Sequence, residues 1–265
     1  MIPLKTDKLL ARVDDQGIGW LTFNNPERRN AISLEMWQGL GDALQAFQHD
    51  DSVRVVVLHG AGGKAFASGA DISEFDQHRA NAEQRRQYGE IAERGRTWLS
   101  QLDKPLIAMI QGYCIGGGLA VSLSADVRFA SAGSTFGIPA ARLGLGYEYA
   151  GVAALARLIG PSNARDLLFS ARFLRADEAL RMGLVNFVVE EDALEASVRR
   201  YAETLARNAP LTVRAAKAAV NRFERFSRTE ATEVAALVDA CFNSEDYAEG
   251  RRAFAEKRVP QFKGR

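Results

Sequence analysis

The segment Leu106 to Asp126, LIAMIQGYCIGGGLAVSLSAD, narrows the possible folds more than any other part of the chain. Pro105 precedes an apolar run, Leu106 to Ile110, of the length a buried strand requires. Gly112 and the triplet Gly116, Gly117 and Gly118 follow, then an apolar segment with helical spacing. Three consecutive glycines lose much conformational entropy when fixed, so they mark a place where the backbone itself matters. One reading is a backbone that approaches a ligand closely and aims N–H groups at developing negative charge. The other is a tight strand-to-helix turn packed on a neighbour. The stretch alone does not choose between them.

Alternating strands and helices surround this segment. Leu9 to Val13 and Ile18 to Phe23 flank the turn signal Asp14-Asp15-Gln16-Gly17 and predict a hairpin. Ser33 reads as an N-cap, with Glu35 in the first turn, before a helical stripe of Met36, Leu40, Ala43, Leu44 and Phe47. Val53 to Leu58 predicts a buried strand, Ala65 to Asp71 a loop of small residues, and the polar stretch 75–83 a mobile segment. Tyr88, Ile91, Ala92, Gly95, Trp98, Leu99 and Leu102 form a second helical stripe ahead of the glycine-rich segment. Beyond it come a strand over Val127 to Ala130, a helix carrying Val152, Leu155, Ala156 and Ile159, and alanine-rich helical patterns over 162–170 and 176–182. Gly183 reads as a helix stop before a strand over Leu184 to Val189. From Ala193 the pattern is helical throughout, with a helix over roughly 229–243 and a last one capped by Ser244. The expected fold class is α/β, with a core over 1–192 and a helical region over 193–265.

Of the 265 residues, 47% are hydrophobic, enough for one large core. A net charge of +1, with no basic block, makes nucleic acid an unlikely main partner. Cys114 and Cys241 lie far apart and read as free thiols in a reducing compartment. No signal-peptide core opens the chain, and no apolar run approaches the ~20 residues of a spanning helix. The expectation is a soluble, cytoplasmic protein.

Several motifs fail on their context. Gly60-Ala61-Gly62-Gly63-Lys64-Ala65 fits a dinucleotide fingerprint after a strand, but a loop follows where a helix is required. Alanine after Lys64 rules out a Walker loop. His49, His59 and His78 have no partner at metal-ligand spacing, and no serine elbow is present. Two glycine-containing loops remain, Ser68-Gly69-Ala70-Asp71 and Gly116-Gly117-Gly118. If their strands are sheet neighbours, one N–H from each loop can converge on a single oxygen and form an oxyanion hole.

These residues resemble the enoyl-CoA hydratase/isomerase (crotonase) superfamily over nearly the whole chain. The matching pieces are Asn25 to Ile32, Gly63 to Ile72, Gly112 to Gly118 with Asp126, Ala179 to Val185, and the close Glu256 to Lys263. The resemblance implies a crotonase-like spiral of repeated ββα units with a C-terminal all-helical region that packs on neighbouring subunits in trimers or pairs of trimers. It implies a coenzyme A thioester substrate, with coenzyme A part of that substrate and no separate cofactor or metal. The oxyanion-hole donors would be the N–H groups of Ala70 and Gly117. Backbone around Arg28, Ser68 and Ala70 would line the CoA groove, and Lys257 or Lys263 would reach a CoA phosphate unless simply solvated.

The sequence departs from the family's hydratases at the groups that move protons. Their two glutamates fall here on Ala120 and Ala140, and neither alanine carries a proton. The replacement is Glu148, with Tyr147 beside it, at the place where several family isomerases carry an acid. A single carboxylate can move one proton between two carbons, so double-bond isomerisation is favoured. The alternative reading of Glu148 is an acid in a helix's first turn, there for the dipole. Tyr147 is a pocket wall or a hydroxyl donor, falling where a family decarboxylase has a tyrosine. Asp71 and Asp126 follow small-residue turns and are expected to fix loop geometry. Hydration, decarboxylation and non-catalytic acyl-CoA binding stand as alternatives.

Overall fold

The computed structural model describes residues 1–71, 82–143, 147, 149–224, 240 and 243–265. Glu148, His78, Cys241, nearly all of the predicted polar segment 75–83 and nearly all of the predicted helix over 229–243 lie outside the described residues.

The hairpin forms where the turn signal puts it. Strand β1 spans Leu9–Val13 and β2 spans Ile18–Phe23, paired antiparallel with Leu9 opposite Phe23. The Asp14 carboxylate accepts from the N–H groups of Gln16 and Ile18, which closes the turn. Ser33 caps the helix Leu34–His49 by accepting from the N–H of Met36. The apolar stripe of that helix is buried to the last residue: Met36, Leu40, Ala43, Leu44 and Phe47 are fully covered. Each large side chain so covered contributes about 1.5–3 kcal/mol.

The middle of the chain repeats one unit, strand–turn–strand–helix. The first strands, β3 (Val55–Gly60), β5 (Leu106–Ile110) and β7 (Val127–Ser131), join one sheet. The second strands, β4 (Ala65–Ala67), β6 (Tyr113–Ile115) and β8 (Thr135–Gly137), join another. With β9 (Leu174–Arg175) and β10 (Phe187–Val189), the sheet orders are β1-β2-β3-β5-β7-β10 and β4-β6-β8-β9. Every pair within the repeats is parallel, so each unit advances the spiral by one strand in both sheets. This is the ββα spiral expected from the resemblance.

The small-residue stretch predicted as a loop is in part β4, since Ala65 and Ala67 pair with Tyr113 and Cys114 across a bulge. The Gly60-Ala61-Gly62-Gly63 motif is the turn joining β3 to β4, with no helix after it. A Cβ on Gly60 would stand 2.2 Å from the Ala65 carbonyl oxygen. Only glycine allows that approach.

The large sheet is covered on both faces. The helices Leu34–His49 and Ala82–Gln101 pack on each other, and the main apolar cluster takes in residues of both. On the opposite face, Leu194, Val198 and Ala202 of the helix Leu194–Arg207 pack on Ile18, Trp20, Val55, Val57, Ile107 and Met109. The first helix of the C-terminal region is thereby part of the core packing. The helices Pro210–Glu224 and Glu245–Glu256 follow it. Among the described residues, no helix is long and apolar enough to cross a membrane.

Asn30 ties the first loop to the spiral. It is fully buried and holds φ +56, a left-handed conformation that asparagine tolerates. Its Oδ1 accepts from the N–H of Asn25, and its Nδ2 donates to the carbonyls of Ala61 and Ala65 at 2.9 and 2.7 Å. Asn30→Ala strands those groups in the interior and keeps an unfavourable φ. The expected loss is about 3 kcal/mol in urea unfolding. A loss below about 1 kcal/mol would show that the clamp is dispensable.

Candidate active site

The two glycine loops meet because their strands are neighbours. Chain leaving β4 enters Ser68, Gly69 and Ala70, and chain leaving β6 enters Gly116 and Gly117. Ile32 fixes the first loop as a single parallel bridge. Its N–H donates to the Gly69 carbonyl at 2.8 Å, and its carbonyl accepts from the N–H of Asp71 at 3.1 Å. In that pattern the N–H of Ala70, the residue between, points away from Ile32. Gly69 holds φ +116, which lets the chain make the bend.

The second loop turns at Gly116, with φ 53 and ψ −117, a conformation open to glycine alone. The Gly116 N–H donates to the Gly137 carbonyl at 2.8 Å, which pins the turn to β8. Gly117 is the first residue of the helix Gly117–Ser122, where a backbone N–H has no partner within its helix. A Cβ placed on Gly117 would lie 3.4 Å from the Ala70 nitrogen, so the two loops meet at these residues.

Gly118 sets the distance between the loops. A Cβ there would meet the Ala67 carbonyl oxygen at 2.2 Å and the Ala67 Cβ at 2.7 Å. The helix start therefore rests directly on β4. Cys114 and Ser122 are buried beneath it, and burial pushes the Cys114 thiol up to about 12. That thiol stays protonated and belongs to the packing.

Of the residues expected in the CoA groove, Arg28, Ser68 and Ala70 come together. Ser68 donates through its N–H to the Arg29 carbonyl at 3.0 Å and through Oγ to the Arg28 carbonyl at 3.3 Å. The Arg28 guanidinium reaches the buried Asp71 carboxylate at 3.2 Å. Asp71 thus holds the loop, as expected for it. Asp126 likewise accepts from the Leu106 N–H and from Lys217 at the entry to β5.

Lys257 follows the helix Glu245–Glu256 with φ +54, and Lys263 lies in the tail beyond it. The tail that carries Lys263 docks by Arg54, whose guanidinium donates to the Phe262 carbonyl at 3.2 Å, and by Pro210, which packs near Gly264. Arg54 precedes β3, whereas the β4 turn follows that strand's other end. The N–H groups of Lys263 and Gly264 both donate to Asp246, which holds the tail there.

The proton carriers are few. Ala120 lies in the helix after Gly117, and Ala140 is buried in the 3-10 turn Pro139–Leu143. Glu148 falls outside the described residues. Tyr147 is described, and its hydroxyl donates to the Gly116 carbonyl at 3.2 Å. Sequence reasoning singled out this tyrosine without finding that contact, because the two residues are far apart in the chain. It also missed the Arg29 guanidinium over the Tyr113 ring, 5.0 Å from its centre. Among the described residues no cluster could hold a metal ion.

The family model for enoyl-CoA hydratase/isomerase matches residues 14–265. The chain belongs to the enoyl-CoA hydratase/isomerase family, the crotonases. It is 36% identical over 248 residues to a short-chain-enoyl-CoA hydratase of Clostridium acetobutylicum, covering 92% of this chain and 94% of that protein. It is 33% identical over 250 residues to a carnitinyl-CoA dehydratase of Salmonella typhi, with 92% and 94% covered. A crystal structure of an enoyl-CoA hydratase/carnithine racemase from Magnetospirillum magneticum superimposes with a TM-score of 0.92 at 38% identity, covering 98% of this chain and 97% of that one. As a crotonase-family enzyme the protein acts on acyl-CoA, and its two glycine loops sit on the family's ββα spiral.

The close contact at Gly118 gives a direct test of the site's construction. Gly118→Ala forces a methyl against the Ala67 carbonyl and pushes the loops apart. We expect a loss of about 1–3 kcal/mol in stability. Turnover of acyl-CoA should fall about a hundredfold, since displacing aligned groups by about an ångström has that effect. Unchanged turnover in the folded variant would show that the loop spacing does not matter.

Proposed function

We propose that the protein isomerises the double bond of an enoyl-CoA thioester, holding the enolate oxygen between the N–H groups of Ala70 and Gly117. The observation that supports the reading is the close approach of Gly117 to the Ala70 nitrogen, in a chain with Ala120 and Ala140 where the resemblance places the hydratases' two glutamates. Each such donor is worth about 3–4 kcal/mol of transition-state stabilisation. The donors answer only half the chemistry, because a proton must still leave carbon.

In this reading Glu148 is the proton carrier. Its carboxylate removes a proton from C2 of a 3-enoyl thioester, and the electron pair delocalises onto the thioester oxygen and across the double bond. The resulting carboxylic acid returns the same proton to C4, which leaves the double bond between C2 and C3. One acid suffices, and no water is consumed.

A second reading is hydration or its reverse. The printed names of relatives such as the Clostridium acetobutylicum hydratase and the Salmonella typhi dehydratase favour it. It must do without the paired carboxylates that position and split water. Decarboxylation with Tyr147 as donor is a third course, tested by Tyr147→Phe on a malonyl-type thioester. Non-catalytic acyl-CoA binding is the rival from outside catalysis.

Proton exchange separates these readings without knowledge of the true substrate. Butyryl-CoA incubated in heavy water should lose its α-protons, followed by NMR. Glu148→Gln should cut exchange and isomerisation by about 10²–10⁴-fold while CoA-thioester binding persists. Near-normal turnover in Glu148→Gln would remove Glu148 from the mechanism. Tight binding with no exchange in the unaltered protein would favour the non-catalytic reading. Water addition to crotonyl-CoA at rates matching isomerisation would favour the second.

Self-association through 193–265 completes the proposal, supported by the exposed Val220 and Phe223 of the helix Pro210–Glu224. Light scattering should return three or six times the 29.0 kDa chain mass, and a monomer would refute it. Lys257 and Lys263 remain proposed phosphate contacts, reachable from a neighbouring subunit in such an assembly. A cytoplasmic setting accords with Cys114 as a free, buried thiol.

A further inference from the structure

We infer that Tyr147 is a positioning residue that strengthens the Gly117 donor by polarising the peptide group to which that donor belongs. The Tyr147 hydroxyl donates to the Gly116 carbonyl at 3.2 Å. That carbonyl and the Gly117 N–H are the two ends of one resonant peptide unit. A hydrogen bond accepted by the oxygen draws electron density from the nitrogen, so the N–H becomes a better donor. The hydroxyl therefore acts on the oxyanion through the backbone, without touching the substrate.

The surroundings hold the arrangement in register. Gly116 is anchored on its other side by its own N–H, which donates to Gly137. The Tyr147 ring packs against the main apolar cluster. A Cβ on Gly151 would stand 2.9 Å from the ring's Cε1, so the ring lies directly over that glycine. Tyrosine supplies a hydroxyl at the end of a rigid lever, and phenylalanine would keep the lever without the donor. The geometry also explains why a phenol serves here: it donates while uncharged, and so places no negative charge beside the enolate.

The inference rests on the reading that Ala70 and Gly117 hold a thioester oxygen, and its test separates the two. Butyryl-CoA labelled with carbon-13 at the carbonyl is bound to the full-length protein, and the carbonyl stretch is read by isotope-edited infrared difference. In the unaltered protein the stretch should fall on binding. In Tyr147→Phe the fall should be smaller, and α-proton exchange should slow about two- to eightfold, the effect of a 10–30% change in one donor's strength. The pH profile of exchange should keep its shape.

Replacing Tyr147 by a ring-fluorinated, more acidic tyrosine should enlarge the shift and speed exchange beyond the unaltered protein. This arm keeps the ring and its packing, so it decides even where the phenylalanine variant folds poorly. A full carbonyl shift in Tyr147→Phe would overturn the inference and leave the oxyanion hole standing. A pH profile that changes shape would overturn it in favour of direct proton transfer by Tyr147. No shift in the unaltered protein would remove the hole and the inference together.

Discussion

The contact of Gly118 with the Ala67 carbonyl is the constraint on which the site depends. Helix and strand approach there until no Cβ fits between them, and the loops on either side are brought into register as a result. Gly116 and Gly69 then supply the two unusual backbone conformations, φ 53 and φ 116, that bend the two loops where they meet. The consecutive glycines 116 to 118 perform different tasks: one bends, one opens the helix and one allows approach. A single added methyl group at any of the three acts on a different part of the chemistry.

The ββα repeat makes this meeting a consequence of topology. Each unit places its second strand beside that of the preceding unit, so β4 and β6 are parallel neighbours and their following loops emerge on one side. The large sheet supplies the burial that keeps the repeat rigid, with apolar cover on both faces. Asn30 then joins the loop ahead of the first long helix to the β3–β4 turn. Arg28, Ser68 and Asp71 are drawn to the same rim by this connection. The candidate CoA groove and the candidate hole are thus two sides of one loop.

Much of this was legible in the residues, and the failures have physical causes. The hairpin, the Ser33 cap and the long helical stripes announced themselves because their periodic patterns span many residues. β4 was read as loop because three residues are too short for alternation to show, and its pairing with β6 is non-local. Leu184 to Val189 was read as strand throughout, yet only Phe187–Val189 pairs, since Leu184 and Val185 serve the apolar core beside Gly183. In the site, the two glycine loops could be singled out from the residues, and the resemblance named Ala70 and Gly117 as their expected donors. What joins Tyr147 to Gly116 could not, because a hydrogen bond across 31 positions leaves no local trace.

Backbone donors have a further consequence for how such a site diversifies. If the N–H groups of Ala70 and Gly117 are the donors, they depend on chain geometry and survive changes in the side chains that carry protons. Ala120 and Ala140 show that separation: the helix and the turn that bear them are intact, while the carboxylates are gone. On the proposed reading the reaction is set by a handful of groups around the two backbone donors, with Tyr147 tied to the Gly116 carbonyl and Glu148 as the acid. Hydration asks two groups to manage water and carbon together, whereas moving a double bond asks one group to visit two carbons. A site stripped to a single acid is better matched to the second task.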